Sequence, residues 1–257
     1  MQESNNFMAV HPAIQPTLCV IGFPVAGNAM QFATERALTE AGLDWKFVSF
    51  NVSPDDFDEA VRGAKALGLA GLAFAAPFET QLANHVDRID PDQPPNPWID
   101  FLQPNQGRWV GSNQLGRAVV ELVCQAVPEP TEVVILGDGP QARGIASHFA
   151  TKSLACQMVD HLPLEHLDSG AAVIHADASD GAPFPLNGLE TAGCQSAGCC
   201  VELSLDTAPQ LPLGPQSIAI SAVDVLVRRF ANGFCDWTGL PAQPSTLREA
   251  IEEYFEL

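Results

Sequence analysis

Positive charge is scarce in this chain. Three lysines (Lys46, Lys65 and Lys152) and nine arginines face 31 acidic residues, for a net charge of −19. A field of that sign repels phosphate backbones and anionic lipid headgroups, so neither nucleic acid nor a membrane surface is expected as a partner. The acidity itself implies no cationic partner, because it also serves to keep a surface soluble. Long apolar runs are missing too, and none approaches the roughly 18 residues of a membrane span. Met1–Asn6 carries neither the basic flank nor the apolar stretch of a secretory signal. Tyrosine occurs once, as Tyr254, and no lysine lies between Ala66 and Thr151. The seven cysteines, Cys19, Cys124, Cys156, Cys194, Cys199, Cys200 and Cys235, are odd in number and scattered. That usage points to a reducing cytoplasm rather than a disulfide framework. Neither these nor the histidines show metal-ligand spacing, so no metal site is expected.

What is present is a folding composition: 257 residues, 46% hydrophobic and 17% charged, enough for one large or two medium domains. The most informative stretch is Val133-Val134-Ile135-Leu136 running into Gly137-Asp138-Gly139-Pro140-Gln141-Ala142-Arg143. It reads as a dinucleotide-binding turn. Gly137 permits the sharp turn, Gly139 a close backbone approach to pyrophosphate, and Ala142 close packing of helix on strand. The helix N-terminus offers free amides to an anion. Glycine also serves strand-to-helix turns that bind nothing, so packing alone is the alternative.

Strands and helices alternate along the chain. Leu18–Ile21 is an apolar strand, Met30–Ala41 a helix, Trp45–Val52 a strand, and Ser53-Pro54-Asp55-Asp56 a helix start with a hydroxyl cap, early proline and acids. A strand over Leu72–Ala76 follows, and Asn105-Gln106-Gly107 marks a hairpin turn. Gly116–Ala126 reads as a connecting helix. Strands near Cys156–Val159, Ala171–Ala176, Cys199–Leu203 and Ser217–Ile220 complete the later half, with helices over Val223–Asp236 and Ser245–Phe255. The fold class is therefore α/β, in two α/β domains: an N-terminal one over 1–115 with 240–257, and a Rossmann-type one over 116–239.

In order and spacing, these landmarks resemble the shikimate dehydrogenase family. Val20-Ile21-Gly22-Phe23-Pro24 matches V-x-G-N-P, the segment from Gly71 to Pro77-Phe78 matches G-x-N-V-T-x-P-x-K, and Gly111-Ser112-Asn113 matches G-x-N-T-D. Gly137 to Arg143 matches G-A-G-G-A-x-R, Val225-Leu226 M-L-x-x-Q, and Phe234 to Gly239 F-x-x-W-T-G. The resemblance implies an N-terminal substrate-type domain facing a nucleotide-binding domain, and NADP-linked reduction of a cyclic keto acid. It also implies a lysine and an aspartate that handle the proton, yet here those places hold Glu79 and Leu115. The serine pair falls on Asn28 and Met30, the family's other asparagine on Ile99, the threonine on Gln114, the tyrosine on Leu205 and the glutamine on Arg229. Asn113 and Asp87 look retained. No shift of register restores the lysine or the tyrosine, and Lys65 reads as a solvated side chain before the strand.

Glu79 has two readings. It is a relocated general acid or base, with Asn113 orienting a substrate oxygen, or a solvent-facing glutamate at a helix start. Asn28, Asp87, Gln114 and Arg229 are the candidate substrate-binding residues; Arg229 clamps a carboxylate or forms a salt bridge on the acidic surface. Only one of Arg228 and Arg229 can face a cleft, because neighbouring helical positions point about 100° apart. On the nucleotide side Asp160, 23 residues after Gly137, suits free ribose hydroxyls and opposes a 2′-phosphate, which favours NAD over NADP if a dinucleotide binds. His161 takes the place of the family's phosphate-binding basic residue, and Asp138 repels pyrophosphate if it turns inward. Arg143 meets phosphate or braces the cleft. Two functions follow: an oxidoreductase on a small acid other than shikimate, or a catalytically silent relative that binds a metabolite, nucleotide or partner chain. Polar groups around Asn28, Glu79, Asn113 and Arg229 would mark the first, and a cleft filled by Met30, Ile99 and Leu115 the second.

Overall fold

Four consecutive apolar residues, Leu18–Ile21, leave their segment no solvent face, and they form β1 (Thr17–Gly22), buried between two parallel neighbours. The computed structural model describes residues 15–89, 98–154, 156–159, 167–178, 182, 184–186, 191–205, 211 and 213–257. Within them the chain forms two sheets. The first runs in the order β2 (Lys46–Asn51), β1, β3 (Gly71–Phe74), β5 (Phe101–Asn105), β6 (Arg108–Ser112), β4 (Arg88–Ile89). Its β5 is antiparallel to both neighbours. Gln106 and Gly107 join β5 to β6 with φ of 51° and 76°, the left-handed pair that a two-residue hairpin requires.

The second sheet is wholly parallel, in the order β11 (Ile218–Ile220), β10 (Cys199–Glu202), β9 (Ala171–His175), β7 (Glu132–Leu136), β8 (Cys156–Val159). Chain order reverses at β7, whose partners are β8 on one side and β9 on the other. A doubly wound sheet takes its ligand at the carboxyl end of such a reversal. The two-sheet α/β architecture agrees with the class expected above.

Helices α1 (Met30–Glu40), α2 (Phe57–Ala66), α3 (Gln114–Ala126), α4 (Pro140–Thr151), α5 (Ala222–Thr238) and α6 (Pro244–Phe255) cover the sheets. The connecting helix begins at Gln114, two residues earlier than its apolar spacing suggests, because Asn113 caps it. Ser221 and Asp224 close a capping box on α5, and Gly239 ends it at φ 72°. Expected with the second domain, α5 serves both: Val225 packs in the second core, while Val227, Phe230, Phe234 and Trp237 pack with β1, β3, α1 and α6 in the first. Sequence periodicity shows that such a helix is amphipathic but not which core it fills.

The contact of α5 with β5 is tight. A Cβ on Gly233 would sit 2.0 Å from Cε1 of Phe101, whose ring is buried and stacked on Trp237 at 4.8 Å between centroids. Two effects of Gly233→Ala therefore oppose each other: a gain of about 1 kcal/mol in helix propensity and an overpacking cost of about 1–3 kcal/mol. The ring is buried and stacked on Trp237, so its retreat would disturb that packing and overpacking wins. Gly233→Ala is expected to lower unfolding free energy by up to about 2 kcal/mol in a denaturant titration, and an increase would contradict this packing.

Candidate functional site

Where β3 ends, a strand end meets α5 and the start of α3, and the group at their centre is Asp100. This carboxylate is fully buried. Its two oxygens accept from the backbone amides of Gln114 at 2.7 Å and Leu115 at 3.0 Å, so a side chain from the loop before β5 supplies the anion at the N-terminus of α3. Arg229 reaches in from α5 with Nε 2.9 Å from Asp100 Oδ2. Its N–H is not aligned on an acceptor, so the contact is an ion pair rather than a hydrogen bond. A second guanidinium nitrogen donates to the Phe74 carbonyl at 3.4 Å, and the group lies over the Phe101 ring. Burial raises the Asp100 pKa above its ordinary value, against the pull of Arg229 and the two amides.

Glu79 lies in the same electrostatic neighbourhood. It is 8% exposed, which overturns the expectation of a solvent-facing residue, and it sits in a turn rather than at a helix start. Burial pushes its carboxyl up to about 7; Arg229 pulls it down, while Asp100 and Asp177 push it further up. Glu79 thus lies within electrostatic reach of Arg229, whose ion pair is with Asp100. Arg228 points elsewhere, toward Glu121 and Gln125. Arg229 does clamp a carboxylate, but the carboxylate belongs to Asp100.

The other candidate residues spend polar atoms on the fold, although Gln114 Oε1 is buried without a hydrogen-bond partner among the described residues. Asn113 Oδ1 accepts from Gly116 N at 2.7 Å, and Nδ2 donates to the Gly144 carbonyl at 2.9 Å, joining α3 to α4. The position expected to orient a substrate oxygen is therefore a helix cap and interhelical bridge. Gln114 Nε2 donates to Ser112 Oγ at 2.9 Å and to Asp236 at 2.5 Å. Asn28 Oδ1 accepts from Met30 N at 2.8 Å at the start of α1. Asp87 is tied to the Trp109 amide at 2.6 Å, four residues along the chain from Asn113, and faces Lys65, whose ammonium binds the His85 carbonyl. Lys65 is thus half-buried at that edge of the sheet rather than solvated. Met30, Ile99 and Leu115 are all buried, Leu115 among Trp98, Ala142, Ile145 and Val225.

At the glycine turn, Gly137 has φ 123° and donates to the Val159 carbonyl. Pro140 opens α4, Ala142 is fully buried and Arg143 is exposed. The free amides expected there are not free. Asp177, two residues after β9, accepts from Ala142 N at 2.9 Å and Gln141 N at 3.2 Å, and its carbonyl accepts from Gly139 N at 3.0 Å. The half-buried Asp138 lies close enough to raise the Asp177 pKa, though burial is the larger cause. As folded, this turn meets a pyrophosphate with a carboxylate in place, so the residues present do not fit that group. Asp160 and His161 lie outside the described residues.

Nearby, His175 places both ring nitrogens on acceptors, Glu202 at 2.8 Å and the Phe184 carbonyl at 2.6 Å. Burial pulls its pKa down, but these partners outweigh burial and hold it above the ordinary value. Glu202 also lines a cavity of about 270 Å³ at the ends of β10 and β11, with Leu205, Leu211, Leu213, Val223 and Leu257.

Residues 20–93 match the shikimate dehydrogenase substrate binding domain. A shikimate dehydrogenase (NADP(+)) of Anaeromyxobacter dehalogenans is 28% identical over 265 residues, covering 91% of this chain and 94% of that protein. One from Geobacter metallireducens is 30% identical, over 55% of this chain and about half, 51%, of its own length. Along most of its length the chain is thus similar to shikimate dehydrogenases. Shikimate 5-dehydrogenase of Thermus thermophilus, solved in complex with shikimate, superposes with a TM-score of 0.74 at 18% identity, over 95% of this chain and 100% of that one. Ligand-free 5-ketofructose reductase of a Gluconobacter strain gives 0.76, also at 18% identity, over 94% and 99%. At such identities the likeness is one of fold.

In this chain sequence reasoning missed Asp100 and Asp177. Asp100 had a signal: a lone carboxylate in the apolar run Trp98-Ile99-Asp100-Phe101-Leu102 must find partners if that run is buried. Asp177 directly follows an apolar strand end, but nothing local says that its partner lies 35 residues upstream at Ala142.

The raised pKa of Glu79 fixes a sign. Between its ordinary value of 4.5 and about 7, the folded protein holds a proton that the unfolded chain has released. Stability is therefore lost as pH rises through that window. Glu79→Gln removes that loss, so the variant is expected to match the wild type near pH 4.5 and to exceed it at pH 8 by about 3 kcal/mol. Chemical denaturation across that range tests it; a pH-independent difference would refute the assignment.

Proposed function

We propose that this protein is a catalytically silent member of the shikimate dehydrogenase family that binds a small molecule in the cleft between its two sheets. The observation that carries this reading is Leu115. At the place where the family resemblance implies a proton-handling aspartate, an apolar side chain is packed among α3, α4 and α5. It cannot exchange a proton. The lysine position holds Glu79, and a carboxylate at a developing alkoxide opposes the charge that a donor should stabilise. Asn113 keeps the family residue, but its amide already bridges Gly116 and Gly144.

The chemistry of the guest follows from the charges. Arg229 is matched by Asp100, and Glu79 and Asp177 add negative potential. A neutral or singly anionic small molecule suits this cleft better than a phosphorylated one. Asp160 favours NAD over NADP for any dinucleotide the protein does take. The seven free cysteines suit a reducing cytoplasm, and no helix among the described residues is long and apolar enough to cross a membrane.

A second reading, an oxidoreductase on a small acid other than shikimate, is favoured by Glu79 itself. A carboxyl that titrates near 7 is matched to general acid–base work at neutral pH. Absorbance of the reduced nicotinamide separates the two readings. Oxidation of shikimate with NADP or NAD is expected to stay at background, and turnover on the order of 1 s⁻¹ or more would defeat both. Comparable turnover of another small hydroxy acid would establish the second reading, provided Glu79→Gln abolishes it.

A further inference from the structure

The loops after β7 and β9 meet at the reversal of strand order, in the crevice where an open α/β sheet takes its ligand. The donors of that crevice are the amides that begin α4, and the Asp177 carboxylate holds two of them, from Gln141 and Ala142. The space is occupied as well. A Cβ on Gly139 would stand 2.3 Å from Asp177 Cγ, and one on Gly137 2.2 Å from the Asp177 carbonyl oxygen. The glycines thus make room for Asp177, the close approach that a dinucleotide turn reserves for phosphate. We propose that Asp177 is a built-in anion of this turn, which takes the donors a pyrophosphate needs and so excludes NAD and NADP from it.

Charge adds to the steric argument. A pyrophosphate entering here meets Asp177 and Asp138 together, with Glu79 acting on Asp177 from the other sheet. To bind, it must displace a carboxylate held by two amides and also neutralise the repulsion. Arg143, the cation in the turn's own sequence, is exposed and stands at the rim. This inference goes beyond the proposed function, since a silent protein can still bind a dinucleotide.

Calorimetric titration of the full chain and of Asp177→Ala and Asp177→Asn with NAD, NADP and inorganic pyrophosphate tests it, each variant first being shown to melt cooperatively. The wild type is expected to give no saturable binding at millimolar ligand. Asp177→Ala frees the amides and is expected to bind NAD and pyrophosphate at least about tenfold more tightly than the wild type. Asp177→Asn keeps the shape and loses the charge; it is expected to gain less, and it decides the matter if the alanine variant does not fold. Saturable dinucleotide binding by the wild type that neither variant improves would overturn the assignment, as would no gain in a folded variant. Wild-type binding without turnover would remove Asp177's role and leave the silent reading standing. Hydride transfer by a variant that has gained binding would do the reverse.

Discussion

The pairing of Asp100 with Arg229 is the contact around which the two halves of the molecule are arranged. Three elements depend on one carboxylate: α3 for its N-terminal anion, α5 for the seat of its arginine, and the loop before β5 for its path. A fully buried carboxylate is costly in an apolar interior unless paired and hydrogen-bonded. Two amides, a helix dipole and a guanidinium together meet that requirement. Replacing either ion alone leaves the other buried without its counter-charge, a loss of about 3–5 kcal/mol in comparable pairs. The pair contributes less to net stability than to specificity, because it holds α5 in one rotation with Arg229 inward and Arg228 outward.

That arrangement also determines what remains for Glu79. Arg229 is the cation that would ionise it, but Asp100 has first claim at 2.9 Å, so Glu79 feels a guanidinium already largely neutralised. Burial then dominates, and the carboxyl keeps its proton to near-neutral pH. The titration of Glu79 is thus set chiefly by its burial, with a smaller upward push from Asp100, 21 positions away in sequence.

Much of the fold was legible because its signals are local. Apolar runs gave β1, β7 and β9, the Gln106-Gly107 turn gave the β5–β6 hairpin, and glycine followed by proline gave the start of α4. The division of α5 between two cores was not legible, since one amphipathic stripe looks the same whichever sheet it meets. The roles of the candidate site residues were not legible. Glu79 lies within electrostatic reach of Arg229, but whether an asparagine amide is free to bind a substrate depends on Gly144, and whether a glycine turn is open depends on Asp177. Both partners are more than 30 residues away from the groups they occupy. Hydrogen-bond saturation is a tertiary property, and a motif reports only the capacity to bond.

The two saturated centres share one logic. An enzyme that acts on an anionic substrate with an anionic cofactor keeps a guanidinium and a helix N-terminus open, because those donors are most effective when preorganised and unoccupied. In this chain Asp100 pairs with the guanidinium as an ion pair, and Asp177 fills the helix N-terminus with hydrogen bonds to two amides. Each carboxylate sits within its own fold unit at no cost in association entropy, whereas a free ligand must bear that cost and displace the carboxylate as well. An anionic ligand at either centre therefore competes against an intramolecular anion at very high effective concentration. The acidic composition that repels phosphate at long range is matched, at the two places where phosphate or carboxylate could be held, by acids already seated.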